Sequence, residues 1–202
     1  MCTGDVRDYY DTRAPEYDEW YLGLGKFAQR VRPGWDEDLQ ALEHAIAALP
    51  PAKTLDLACG TGYLTRHLRG AITGLDQSER MLAIAAGRIA EARARFVQGD
   101  ALAAPFPDGS FERVFSGHFY GHLDPAQRAR FVAQARRLAP ELVVVDSAVR
   151  ADHDREECQQ RVLNDRSSFR VYKRFFDAHE LAEELGGGTV LHEGPWFVMA
   201  AS

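Results

Sequence analysis

The strongest constraint on how this chain folds is a rhythm between residues 54 and 146. Short apolar runs alternate with stretches of helical spacing, and several of the runs close on or beside a carboxylate. TLDLA (54–58) contains Asp56 and meets the glycine turn of ACGTG (58–62). Tyr63 to Arg69 is expected to form a helix closed by Gly70, which suits a left-handed helix end. AITGL (71–75) stops at Asp76, and Ser78 then caps a helix on which Met81, Ile84, Ala85 and Ile89 recur. RFVQG (95–99) stops at Asp100, and FERVFS (111–116) follows the turn PDGS. Asp124 and Pro125 start the next helix as cap and first-turn proline, with Phe131, Ala135 and Leu138 on one face. ELVVVD (141–146) is nearly continuous in apolar character, as a strand buried on both sides must be.

Strands alternating with helices imply right-handed crossovers and a mostly parallel sheet covered on both faces. Beyond residue 148 the pattern changes. DAHE (177–180) is a capping box for a helix that ends at the glycines 186–188. TVLHEG (189–194) and WFVMAA (196–201), joined at Gly194–Pro195, are expected to pair antiparallel at one edge of the sheet. The expected architecture is therefore α/β: a three-layer sandwich around a seven-stranded, mostly parallel sheet with an antiparallel C-terminal edge pair. With 202 residues, 46% of them hydrophobic, the chain fits one domain with a substantial core. Within it, 1–50 is an aromatic, charged helical segment, 52–147 the core, and 148–202 a third zone carrying the edge pair.

Several function classes are disfavoured. A net charge of −6 argues against a broad nucleic-acid surface. No apolar run reaches the length of a membrane span, and the polar, acidic start has no leader pattern. Cys2, Cys59 and Cys158 are expected to be reduced thiols of a cytoplasmic protein, and no His/Cys spacing points to a metal. Ligands of such sheets bind outside the carboxyl ends of the strands, where strand order reverses. Asp56, Asp76 and Asp100 all fall there, and Gly60 and Gly62 let backbone approach a ligand closely.

These segments, LDLACGTGYL, ITGLDQSERML, VQGDA and PFPDGSFERVFS, resemble the class I (Rossmann-like) S-adenosylmethionine-dependent methyltransferases. The likeness is greatest to the small-molecule branch that includes quinone-biosynthesis methyltransferases, and YYDTRAPEYDEWY (9–21) looks like that branch's N-terminal lid. The resemblance implies S-adenosylmethionine as cofactor, S-adenosylhomocysteine as product, and a small-molecule methyl acceptor. It also implies roles. Asp56 faces the methionine amino group; Ala58, Gly60 and Gly62 make room for the methionine and ribose. Asp76 accepts from both ribose hydroxyls with Gln77 beside the adenine, Asp100 accepts from the adenine amino group, Ala101 supplies a backbone amide, and Met81 belongs to the same cofactor-binding set. Ser116 lies beside the methionine end; Tyr10 and Tyr17 are candidates to close over the cofactor, or else ordinary aromatic packing of an N-terminal helix. Ala58 stands where the family has a glycine, and LAPE (138–141) replaces its usual Leu-x-Pro-Gly-Gly, predicting a tighter turn.

On the acceptor side, SGHFYGHL (116–123) offers His118, Tyr120 and His122 as candidate catalytic groups. RSSFRVYKRFF (166–176) is a basic stretch interleaved with aromatics; Arg170, Tyr172 and Arg174 are its candidate acceptor contacts, or else a solvated face. Nucleic acid and membrane are not expected as partners, and monomer and homodimer are both open. A nicotinamide enzyme is disfavoured because Thr65 stands where its third turn glycine belongs. A different sulfonium-using transferase and a non-catalytic binding module remain as alternatives.

Overall fold

A computed structural model describes residues 6–202, and Cys2 lies outside them. The chain runs α1 (Val6–Arg13), α2 (Glu19–Leu22), α3 (Trp35–Ala48), β1 (Thr54–Leu57), β2 (Ile72–Asp76), α4 (Glu79–Arg88), β3 (Ala94–Gln98) and β4 (Arg113–Gly117). It continues with α5 (Pro125–Leu138), β5 (Glu141–Ser147), β6 (Glu156–Val162), β7 (Ser168–Arg174), α6 (Ala178–Glu184), β8 (Thr189–Glu193) and β9 (Phe197–Ala201). Seven strands form one sheet in the order β3-β2-β1-β4-β5-β9-β8. The first five are parallel, while β9 runs antiparallel to both β5 and β8.

Side-chain alternation decides which helix covers which face. Val114, Val144 and Val198 join Phe131, Leu138 and Leu181 of α5 and α6 in one buried cluster. Their strand neighbours Phe115, Val143, Val145, Phe197 and Met199 point the other way, onto Leu39, Leu42 and Ile46 of α3. The expected caps are formed: Ser78 accepts from the Met81 amide, Asp177 from His179 and Glu180, and Asp124 with Gln127 closes a full capping box.

Two expectations are corrected. Tyr63–Arg69 does not become an α-helix; it holds a single 3-10 turn, Thr65–His67. The segment is too short to repay helix nucleation, and Thr65 turns its hydroxyl to Asp56, 2.6 Å away. Cys158 is disulfide-bonded, against the expectation of reduced thiols, while Cys59 is a free, buried cysteine.

Residues 156–174 form an antiparallel hairpin, β6–β7, separate from the main sheet. Leu163, Val171 and Phe169 of the hairpin region pack against Tyr9 and Tyr10 of α1. The N-terminal helices and the hairpin thus meet above the carboxyl ends of the strands. Among the described residues, no helix is long and apolar enough to cross a membrane.

Candidate functional site

Strand order reverses between β1 and β4, each of which leads outward to a different edge. Asp56 sits near the end of β1, and the turn that follows places Ala58, Gly60 and Gly62 at φ of 60°, 54° and 72°. Glycine adopts that left-handed backbone freely; Ala58 carries strain there, as residues at ligand-binding turns often do. Asp76, ending β2, holds the turn: Gly60 N donates to its Oδ2 at 2.8 Å, and Ser78 N to its Oδ1 at 2.9 Å.

The two carboxyls differ in their surroundings. Asp56 is fully buried; Thr65 donates to Oδ2, while Oδ1 has no hydrogen-bond partner. Burial pushes its pKa up to about 8, against the Thr65 hydrogen bond, with Asp76 adding like-charge repulsion. Burial also raises Asp76, opposed by the amides of Ser78 and Gly60. A buried carboxyl oxygen without a partner is costly. Asp56 Oδ1 therefore fits a cationic donor such as an amino group, and Asp76 keeps lone pairs for hydroxyl donors.

Asp100 caps the turn after β3 by accepting from Leu102 N at 2.8 Å, and Gln77 Nε2 reaches its Oδ1 at 3.3 Å. Both lie along the same strand-end crevice. Ala101 and Met81 are buried beneath it. Ser116 spends its hydroxyl on the Leu57 carbonyl at 2.8 Å, tying β4 to β1.

Chain from the N-terminal helices covers the glycine turn. Thr61 donates to Asp18 at 2.6 Å, Arg88 pairs with the same carboxylate and with the Thr61 carbonyl, and Ser78 donates to Asp11. Tyr17 lines two cavities: a small one at the turn, with Asp56, Ala58, Thr61, Thr65 and Gly117, and a larger one of about 830 Å³. The larger cavity lies between the N-terminal helices and the β6–β7 hairpin, with His118 and His122 on its wall.

His118 holds φ of 57°, is 6% exposed, and leaves both ring nitrogens without a partner. Trp20, Tyr21 and Phe197 surround it edge-on. Burial drops its pKa to about 3, although Asp146, with Oδ1 at 3.9 Å, pulls the other way. His122 Nδ1 bonds the Tyr172 carbonyl at 2.7 Å, so that nitrogen carries the proton and Nε2 is the acceptor. Burial, then Lys173 and Arg161, hold His122 well below its usual range. Burial also keeps the Tyr17 phenol neutral, with its pKa pushed up to about 12, and Tyr10 is raised likewise.

Other candidates are placed elsewhere. Tyr120 is in the core between Phe131 and Phe176, its hydroxyl donating to Glu184 at 3.3 Å. Arg170, Tyr172 and Arg174 project from the outer face of β7; Arg174 pairs with Glu156 and Glu184. The inner face carries Val171 and Lys173, which are buried. Strand alternation is the signal that separates the two sets. Lys173 pairs with Asp146, whose oxygens also accept from the Gly121 and Ser147 amides at 2.7 Å. Asp146 closes the fifth apolar run in the same way that Asp76 closes the second. Tyr9 and Arg13 of the lid-like segment 9–21, and Arg161, which no motif marks, complete the wall.

A crevice at a reversal of strand order, a left-handed glycine turn and two carboxylates beside it define a nucleotide-type cofactor site on a methyltransferase fold. Residues 54–141 match the family described as a methyltransferase domain. A DhpI–SAH complex is 33% identical to this chain, covering 96% of it and 92% of DhpI at a TM-score of 0.69. A DhpI–SAM–HEP complex covers 98% and 99% at 29% identity and a TM-score of 0.75. The chain belongs to the class I S-adenosylmethionine-dependent methyltransferases. The demethylmenaquinone methyltransferase of Thermotoga maritima is 38% identical over 98 residues, which are 46% of this chain and 41% of that protein. The chain spans about half or less of the length of the first curated relatives it matches.

Proposed function

We propose that this protein transfers a methyl group from S-adenosylmethionine to a small molecule held between the N-terminal helices and the β6–β7 hairpin. The observation that carries this reading is the adjacency of two cavities across Tyr17. One contains the partnerless Oδ1 of Asp56; the other has the volume of a small-molecule site. When bound, the cofactor supplies an electrophilic methyl group on a sulfonium. Asp56 holds the amino group, Asp76 the ribose hydroxyls, and Gln77 with Asp100 the adenine edge. Tyr10 and Tyr17 act as the lid that excludes water, and neutral Tyr17 separates donor from acceptor.

Alignment of the acceptor is then the main task. His118 and His122, both kept neutral, orient the acceptor by hydrogen bonds rather than drawing a proton from an unactivated group at neutral pH. Most of the lining of the acceptor cavity, between residues 9 and 35 and between 147 and 175, falls outside the matched segment 54–141, while His118 and His122 fall inside it.

Calorimetric titration with S-adenosylmethionine and S-adenosylhomocysteine, with NAD as control, tests the reading. Binding of both sulfur cofactors is expected, weakened at least tenfold in Asp76→Ala, with no NAD binding. Folded protein that binds neither would leave the fold as a scaffold for another ligand.

A further inference from the structure

Resting on that assignment of the larger cavity to the acceptor, we propose that Arg13 and Arg161, joined through Tyr9, clamp an oxyanion of the acceptor. The chemistry is that of a carboxylate or a phosphoryl-type group. The chain as a whole is acidic at −6, yet this cavity is lined by seven lysines and arginines against two carboxylates, Asp152 and Glu157. Three of those cations have partners of their own: Lys26 pairs with Glu16, Arg150 with Asp152, and Lys173 with Asp146. Arg13 and Arg161 have no carboxylate within ion-pair distance among the described residues.

Arg13 is only 8% exposed. Among the described residues its guanidinium hydrogen-bonds only to the Tyr9 hydroxyl, and it lies 4.8 Å from the Tyr17 ring centre. A buried cation without a counter-charge is expensive, and removing it from water makes sense where an anion arrives. Arg161 spends two nitrogens on the neutral Gln159 amide and donates with a third to Tyr9.

Tyr9 sets the geometry. Its oxygen accepts from Arg13 Nη1 at 2.5 Å and from Arg161 Nη1 at 3.1 Å. The two guanidinium nitrogens are therefore no farther apart than those bonds laid end to end, a span that the oxygens of one carboxylate or phosphoryl group can bridge. With both lone pairs engaged, the Tyr9 hydroxyl still has its own proton to donate. Planar, multidentate arginine donors are matched to such anions. Arg13 ends α1 while Arg161 lies on β6, so an anion held here fastens one wall of the cavity to the other.

The test is titration of the full chain with inorganic phosphate and with malonate, at fixed chloride, followed by the same titrations on Arg161→Gln, Arg161→Lys and Tyr9→Phe. Saturable binding of at least one anion is expected; the tighter of the two identifies the tetrahedral or the planar group. Arg161→Gln should weaken it at least tenfold and Arg161→Lys less, while S-adenosylmethionine affinity stays within twofold of wild type. Tyr9→Phe, which preserves the packing, should weaken it several-fold. If neither anion saturates, or if Arg161→Gln binds as tightly as wild type, the clamp is refuted. Anion binding without cofactor binding would sink methyl transfer and leave the clamp standing; cofactor binding without anion binding would do the reverse.

Discussion

Substituting Asp56 by Asn isolates what its buried carboxyl does. The folded pKa of about 8 lies above the unfolded value of about 4. Through the interval between them the folded chain carries a proton that the unfolded chain has lost, so stability falls as pH rises. One such group contributes a slope of about 1.4 kcal/mol per pH unit, and about 5 kcal/mol across the whole interval. Asparagine is isosteric, cannot ionise, and still accepts from Thr65. Urea melts of wild type and Asp56→Asn between about pH 5 and pH 7 should therefore diverge at that slope, the variant gaining relative stability as pH rises. The ligand side has a matching signature. A cationic amino group favours the ionised carboxyl, so cofactor binding near pH 7 should expel close to one proton from wild type and none from the variant. Calorimetry in buffers of different ionisation enthalpy reads that number directly. Parallel stability profiles, together with no proton release, would refute the argument that Asp56 is held protonated until a cation arrives.

His118→Asn should lower turnover with cofactor affinity unchanged. Because the His118 pKa is about 3 in the fold and about 6.5 unfolded, wild-type stability is lost as pH falls through that window, and the variant's acid limb should be flatter in pH-dependent melts. Lys173→Met should cost about 3–5 kcal/mol by leaving Asp146 as a buried, unpaired charge. Combining it with Asp146→Asn removes the charge but turns an amide NH2 toward the Gly121 or Ser147 N–H, so thermal melts should recover only part of that loss. Gly60→Ala meets only the Tyr17 ring, at 3.9 Å, but at φ of 54°; a stability loss of about 1–2 kcal/mol and a larger loss of cofactor affinity by calorimetry are expected.

The sheet and the cofactor side were legible because they depend on local pattern. Each apolar run announces its strand, and Asp76 and Asp100 follow from where those runs stop. The single turn at Thr65–His67 was hidden because seven residues of helical spacing look alike whether or not a side chain is diverted to Asp56. On the acceptor side, the basic stretch that becomes β7 carries nothing in its sequence that says which parity faces inward. Arg170, Tyr172 and Arg174 share one face, and Lys173 belongs to the other. Tyr120 sits two residues from each of two cavity histidines, yet a 3-10 turn at 120–122 rotates it into the core. Arg13 falls in the lid-like segment 9–21 and Arg161 in no motif; they are 148 residues apart, and only the meeting of α1 with the hairpin makes them neighbours.

The bonds from Asp18 to Thr61 and from Asp11 to Ser78 place the N-terminal segment across the mouth of the glycine turn. For a transferase built this way ordered binding is the expected consequence: donor first and acceptor second, with methylated product departing before spent donor. Steady-state product inhibition would then have a fixed form, with spent donor competing against fresh donor alone and methylated product competing with neither substrate.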